Sequence, residues 1–284
     1  MDRREFLFAS LAFSSHAIGF RGTASPLRFA HRQANMVTSP GQDVFELASQ
    51  IPGLSGVQLQ MIWKGEDLSE RDSALVYKRQ ANRSAIEVPS IAGVWKPGEK
   101  IFDLAVAEKA LSNAIRTAEF FGAKTILVAL YKANCPNMDD ESSFRPVVGL
   151  LQKMGQSASD AGISFGLETS LTPSDEKKLL TLIDRSRIRS YYDATNVETY
   201  HSGQGVSGIE VLGPRIVECH LKNEDRLIVQ QPSAVDWVAA LKAFKRIHYN
   251  GWYVFETKHA SPERCVQDTR ANIDFVKSQL LSGR

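Results

Sequence analysis

From Leu27 onward, short β-prone runs alternate with longer amphipathic stretches. The runs are Leu27–His31, Gly56–Met61, Ala85–Pro89, Thr125–Tyr131, Ile163–Thr169, Ser190–Ala194, Ile216–Leu221 and Trp252–Thr257. Helix-like segments are predicted between them at Gln42–Gln50, Asp67–Ala81, Asp103–Phe121, Glu141–Ala161, Asp175–Ile183, Gly205–Leu212, Ser233–Ile247 and Pro262–Leu281. In Asp103–Phe121 the apolar residues Leu104, Ala107, Leu111, Ala114, Ile115 and Ala118 form a stripe with a 3.6-residue period. Ser233 with Asp236 three places on reads as an acidic variant of a capping box. Gly122, Gly162 and Gly251 stand where helices should stop and strands begin.

Eight strand–helix units, spaced roughly 30 residues apart, predict an α/β fold of the (β/α)8 TIM-barrel type. The competing doubly wound sheet needs a Gly-rich phosphate loop after its first strand. Here Phe29 is followed by Ala30-His31-Arg32-Gln33-Ala34. No Pro/Gly/Ser-rich linker, low-complexity segment or close repeat breaks the rhythm, so residues 25–284 are read as a single domain.

Composition narrows the function. Of 284 residues, 43% are hydrophobic and 23% charged, as in a globular chain. Lys and Arg total 34 against 32 Asp and Glu, a net charge of +2. That balance argues against a surface built to follow a nucleic-acid backbone. Cys135, Cys219 and Cys265 are too few and too scattered for a zinc ribbon or a disulfide scaffold. There is no 18-residue apolar run, so no membrane span is expected. A homo-oligomer is compatible with all of this.

The first 24 residues read as an address. Arg3-Arg4 directly precede an apolar stretch from Phe6 to about Phe20, softened by Ser10, Ser14, Ser15 and His16, and Gly22-Thr23-Ala24 offers a cleavage site. The pattern resembles a bacterial twin-arginine export signal and implies a periplasmic protein with at least one free thiol. A cytosolic helix that begins Arg-Arg is the plain alternative. The twin-arginine route carries folded proteins, which suits an enzyme loaded with metal inside the cell.

Candidate chemistry gathers at four consecutive strand ends. Glu168, Asp193, His220 and Glu256 each close a predicted strand, at intervals of 25, 27 and 36 residues. C-terminal strand ends of a barrel converge on one axis, so the four side chains are expected to meet. Three carboxylates and an imidazole in a partly desolvated pocket require a counter-charge. One divalent metal ion supplies it, and oxygen-rich ligation with one nitrogen favours Mn, Mg or Co over Zn. Taken singly, each residue reads equally as a helix N-cap or a structural side chain; taken together, that explanation has to act four times.

Gly166-Leu167-Glu168, Tyr192-Asp193-Ala194-Thr195-Asn196, Cys219-His220-Leu221-Lys222-Asn223 and Phe255-Glu256 resemble the xylose isomerase-like TIM barrel superfamily, which includes sugar phosphate isomerases/epimerases and ketose 3-epimerases. The resemblance runs from about Leu27 to Leu280. It implies that Glu168 and Glu256 are both metal ligands and the acid/base pair, and that Asp193 and His220 are ligands only. It also implies that Arg226 orients substrate and that Pro232…Asp236-Trp237 is the loop before a late helix. The chain departs from the family pattern in three places. Asn196 stands where the epimerases usually have histidine, Gln58 where many relatives have glutamate, and Asn223 where aspartate is frequent. The further histidines of endonuclease IV are absent from the sequence, in keeping with the neutral charge.

The implied chemistry is proton abstraction next to a carbonyl through an enediolate, with the metal as Lewis acid, on a carbohydrate substrate. Returning the proton gives an epimerase or isomerase. Expelling a β leaving group gives a lyase or dehydratase on keto-sugars or 3-keto-glycosides, and a barrel that binds metal or sugar without turnover is the third reading. Lys222 and Lys258, two residues beyond His220 and Glu256, are expected to point the same way and reach a substrate oxygen; rim salt bridges are the alternative. His31 and Asn196 are further substrate-binding candidates. Trp63 and Trp95 read as sugar-stacking walls or packing residues. His201, Gly203 and Gly205 read as a loop after the sixth strand.

Overall fold

The computed structural model describes residues 27–36, 42–224 and 226–282. The proposed leader lies outside them. Eight strands close a barrel in which every neighbouring pair is parallel: β1 (Arg28–Arg32), β2 (Gly56–Gln60), β3 (Ser90–Ala92), β4 (Thr125–Leu130), β5 (Ser164–Thr169), β6 (Ile188–Asp193), β7 (Ile216–Leu221) and β8 (Trp252–Phe255). β1 pairs with both β2 and β8, which completes the ring. The helices are α1 (Gln33–Met36), α2 (Val44–Ser49), α3 (Arg71–Ser84), α4 (Leu104–Phe121), α5 (Glu141–Asp160), α6 (Pro173–Ile183), α7 (Ala194–Tyr200), α8 (Ser207–Leu212), α9 (Trp237–Arg246) and α10 (Pro262–Leu281). None of the described helices is long and apolar enough to cross a membrane.

The strands alternate, apart from a register shift where Ser190 and Tyr191 of β6 pair with Ile216 and Glu218 of β7, and the two faces have different tasks. Phe29, Val57, Leu59, Ile126, Phe165, Leu167, Leu221 and Phe255 point outward into the large core shared with the helices. Burying one such side chain contributes about 2–3 kcal/mol. The inner face has only a small apolar layer, Ala30, Ala92, Leu127, Tyr191, Trp252 and Val254. Gly166 belongs to this layer, because a Cβ there would lie 2.9 Å from the Cβ of Tyr191. Above the layer the inner positions are polar, and they make the mouth.

Local chemistry sets the element ends. α4 starts at Asp103, whose carboxylate accepts from Val106 N at 3.2 Å, and stops at Gly122 with φ +80°. Its stripe is buried as expected from Ala107 to Ala118, but Leu104, in the first turn, is 40% exposed. Three other expectations shift. The third strand lies at Ser90–Ala92, not Ala85–Pro89: α3 runs on to Ser84, Ala85 is left-handed, and proline at 89 has no N–H for a ladder. The cap of α9 is Asp236, accepting from Ala239 N at 3.0 Å, while Ser233 only turns back on Val235. Gly251 does not end a helix; a Cβ there would lie 2.3 Å from the Val217 carbonyl oxygen. A two-residue hairpin turn at Lys64-Gly65, both with positive φ, joins short strands Ile62–Trp63 and Glu66–Asp67. The segment after β6 begins as α7, and His201, Gly203 and Gly205 lie in the loop that follows it.

Candidate active site

Glu168, Asp193 and His220 occupy inner positions at the ends of β5, β6 and β7, and Glu256 follows β8 on the same face. The strand alternation brings all four together. His220 Nδ1 lies 3.2 Å from Glu168 Oε1, 3.6 Å from Glu256 Oε2 and 3.8 Å from Asp193 Oδ2. Glu168, Asp193 and His220 are buried, and their ligand atoms lie within 4.8 Å of one another.

Each donor is oriented from behind. Gln58 Oε1 is 3.0 Å from His220 Nε2, and Gln58 Nε2 donates to Ser90 Oγ at 3.0 Å and to Tyr191 OH at 2.7 Å. With its amide group so committed, Gln58 accepts from His220 Nε2–H. Nδ1 is then the nitrogen left for the carboxylates, either as an N–H donating to Glu168 or as a lone pair. Asp193 caps α7 through Oδ1, which accepts from Asn196 N at 2.9 Å; its Oδ2 is buried and pairs with the Lys222 ammonium. Asn196 donates through Nδ2 to Glu168 Oε1 at 3.2 Å and to Tyr131 OH at 3.0 Å.

Two cations complete the group. The Lys222 ammonium is 2.7 Å from Asp193 Oδ2 and 3.1 Å from Glu256 Oε2, and donates to Asn196 Oδ1 at 2.8 Å. The Arg32 guanidinium pairs with Glu256 Oε1 and donates to Gln60 Oε1 at 3.0 Å. Three carboxylates thus face two fixed positive charges, so charge balance alone does not require a metal. The donor set does fit one: His220 Nδ1, Glu168 Oε1 and Asp193 Oδ2 converge on a common space, with Glu256 Oε2 at its rim. Burial would raise the Glu168 carboxyl, but His220, Lys222 and the Tyr131 hydroxyl outweigh it and hold the group down at about 2. Burial wins at Asp193 and pushes its carboxyl above the ordinary value against the pull of Lys222.

Other candidates lie elsewhere. His31 faces outward from β1 and is fully buried behind the mouth; burial, with the His259 ring adding, brings it down to about 3. Lys258 is exposed. The Arg226 guanidinium bonds the Pro232 carbonyl at 3.4 Å. Trp95 Nε1 donates to Ala129 O at 2.8 Å, and Lys64 stacks over Trp63. His201 Nε2 is 3.0 Å from Ser170 O, and the Glu198 carboxylate accepts from Gly203 N and Gly205 N. The sequence reading missed Arg32, Gln60 and Tyr131. For Arg32 the signal was period two itself, since the neighbour of an outward His31 points inward.

A profile of the xylose isomerase-like TIM barrel family matches residues 45–279. The chain belongs to that family. Among curated proteins no sequence matches it significantly. Solved structures share the fold at low identity. D-allulose 3-epimerase from Methylomonas sp. is 16% identical with a TM-score of 0.71, covering 90% of this chain and 99% of that one. 3-Keto-D-glucoside 4-epimerase from E. coli is 13% identical with a TM-score of 0.70, covering 89% and 100%. The IOLI protein, solved with a zinc atom, is 14% identical with a TM-score of 0.71, covering 90% and 100%.

Proposed function

We propose that this family member is a sugar isomerase or epimerase dependent on one divalent metal ion, held by Glu168, Asp193, His220 and Glu256. The observation that carries this reading is the convergence of the Glu168 and Glu256 carboxylates on His220 Nδ1, at 3.2 and 3.6 Å. Binding alone needs no such pair. Structural neighbours named as sugar 3- and 4-epimerases support the reaction class. Mn, Mg or Co suits the oxygen-rich donors better than Zn. When bound, the metal supplies a Lewis acid for a substrate carbonyl.

The chain's own residues do the rest. Glu168, held ionised, is ready to take the proton next to the carbonyl, and Glu256 is placed to return it. Lys222 and Arg32 put positive charge where the enediolate oxygens grow negative. Asn196 and Tyr131 hold Glu168 in place, and Gln58 holds His220. A free ketose or keto-glycoside suits an exported enzyme better than a sugar phosphate.

The test is solvent-deuterium exchange into ketoses and keto-glycosides with manganese present. Exchange at the carbon next to the carbonyl, with no leaving group lost, is expected. Loss of a leaving group would reassign the enzyme to elimination, and sugar binding without exchange would sink the proposal. Periplasmic location is tested by fractionation: a variant with Arg3→Lys and Arg4→Lys should stay in the cytosol. Unchanged distribution of that variant would refute twin-arginine export.

A further inference from the structure

The outer side of the β1–β8 seam carries a second group of metal-binding side chains, separate from the mouth. His31 leaves β1 toward the helices, Thr257 and His259 follow β8, and Cys265 comes from the start of α10. His31 and Cys265 are fully buried, and the His259 side chain is 2% exposed. His31 Nε2 lies 3.1 Å from His259 Nε2, and one ligand atom each from His31, His259 and Cys265 fall within 4.8 Å of one another. Thr257 Oγ1 stands 3.1 Å from His259 Nε2 and 3.4 Å from His31 Nε2. Cys265 Sγ has Thr269 Oγ1 at 3.9 Å.

The far nitrogen of each ring is already committed. His31 Nδ1 is 3.1 Å from the Arg32 carbonyl oxygen, which can only accept, so Nδ1 carries the proton. His259 Nδ1 is 3.2 Å from Asp268 Oδ2, a carboxylate that also pairs with Arg264, so it too carries the proton. A neutral imidazole has one N–H. Both Nε2 atoms therefore present lone pairs, and they present them to each other. Turning either ring to its other tautomer would set a lone pair against a carbonyl or a carboxylate. The Thr257 hydroxyl has one proton and can relieve only one nitrogen. A cation among the three donors turns the repulsion into ligation. Tetrahedral zinc, with Zn–N about 2.0–2.1 Å and Zn–S about 2.3 Å, sets two nitrogen ligands about 3.4 Å apart and nitrogen from sulfur about 3.6 Å apart. The observed nitrogen pair needs to open by only a few tenths of an ångström.

We propose that His31, His259 and Cys265 form a structural site for a thiophilic divalent cation of the Zn2+ type, with Thr257 Oγ1 or a water as fourth ligand. The donors are two imidazoles and a thiol, softer than the carboxylates of the mouth, so the two sites select different ions. Both imidazoles donate Nδ1–H to an oxygen, the arrangement that fixes metal-binding histidines. Uptake converts the Cys265 thiol to a zinc-bound thiolate and releases its proton to solvent. The ion ties β1, the segment after β8 and α10 together. Arg32 and Glu256, which pair inside the mouth, directly adjoin His31 and Thr257, so it braces that pair from behind.

Cobalt substitution tests this on the full chain, stripped with chelator and titrated with Co2+. A thiolate-to-cobalt charge-transfer band is expected to grow to one equivalent and to be lost on adding Zn2+. Cys265→Ser should abolish the band and bind one ion fewer, and His259→Ala should weaken cobalt binding at least tenfold. The mouth donors hold no sulfur, so Glu168→Gln should leave the band intact whether or not the proposed activity is real. No band at saturating cobalt, with equal stoichiometry in the unaltered chain and Cys265→Ser, would overturn the proposal in favour of an extra proton shared between the rings.

Discussion

The mouth of the barrel and the outer side of the β1–β8 seam use neighbouring residues of the same strands for opposite purposes. Inward, Arg32, Lys222 and Glu256 join Glu168, Asp193 and His220 in a group dense with formal charge. Outward, His31, Thr257, His259 and Cys265 carry little charge, and Asp268 stands behind one ring. One step along a strand separates the two. The inner group is held by opposite charges at the barrel mouth; the outer group is packed against α10. Polar side chains alone therefore do not mark a catalytic site in this barrel. What marks the proposed one is carboxylates directed at a shared space on the inner face.

The sharpest way to break that contrast is to neutralise a glutamate of the mouth. Glu256→Gln or Glu168→Gln should lower deuterium exchange about 10²–10⁴-fold, the usual contribution of a positioned acid or base. Full exchange in either variant would remove the assigned role. Next comes Lys222→Met, which leaves Asp193 Oδ2 and Glu256 facing each other without their shared ammonium. Denaturant unfolding in chelator should show a loss of about 4 kcal/mol, as for other broken buried pairs. An unchanged midpoint would mean that the carboxylates are not held by charge.

Glu176 sharpens the comparison from a third position, a buried carboxyl that pairs with no cation among the described residues. Burial raises it from 4.5 to about 7, and Thr169 Oγ1 donates to its Oε2 at 2.9 Å. The folded chain keeps this proton at pH values where the unfolded chain has lost it. Its stabilising contribution is complete below about pH 4.5 and is lost as pH rises through about 7, a change of about 3 kcal/mol. Glu176→Gln should flatten that slope in denaturation midpoints measured across the window. The smallest effect is expected at exposed Lys258, where Lys258→Ala should change stability by less than about 0.5 kcal/mol and leave exchange intact.

The sequence alone determined the barrel and the identity of Glu168, Asp193, His220 and Glu256 as strand-end residues. The reason is periodicity: short β-prone runs mark strands, the 3.6-residue stripe marks helices, and an eightfold repeat of that pair points to a closed barrel. Element limits were legible where a cap or a glycine set them, as at Asp103 and Gly122 of α4, and a strand limit was misplaced at Pro89, where a missing N–H outweighed β-propensity. Only the tertiary structure decided which face each polar residue takes and what answers its charge. Lys222 and Arg32 reach the carboxylates across strands 29 to 224 residues apart along the chain, and His31 turns to meet His259. Such pairings depend on which strands close the ring against one another, and a one-residue change of phase exchanges inside for outside.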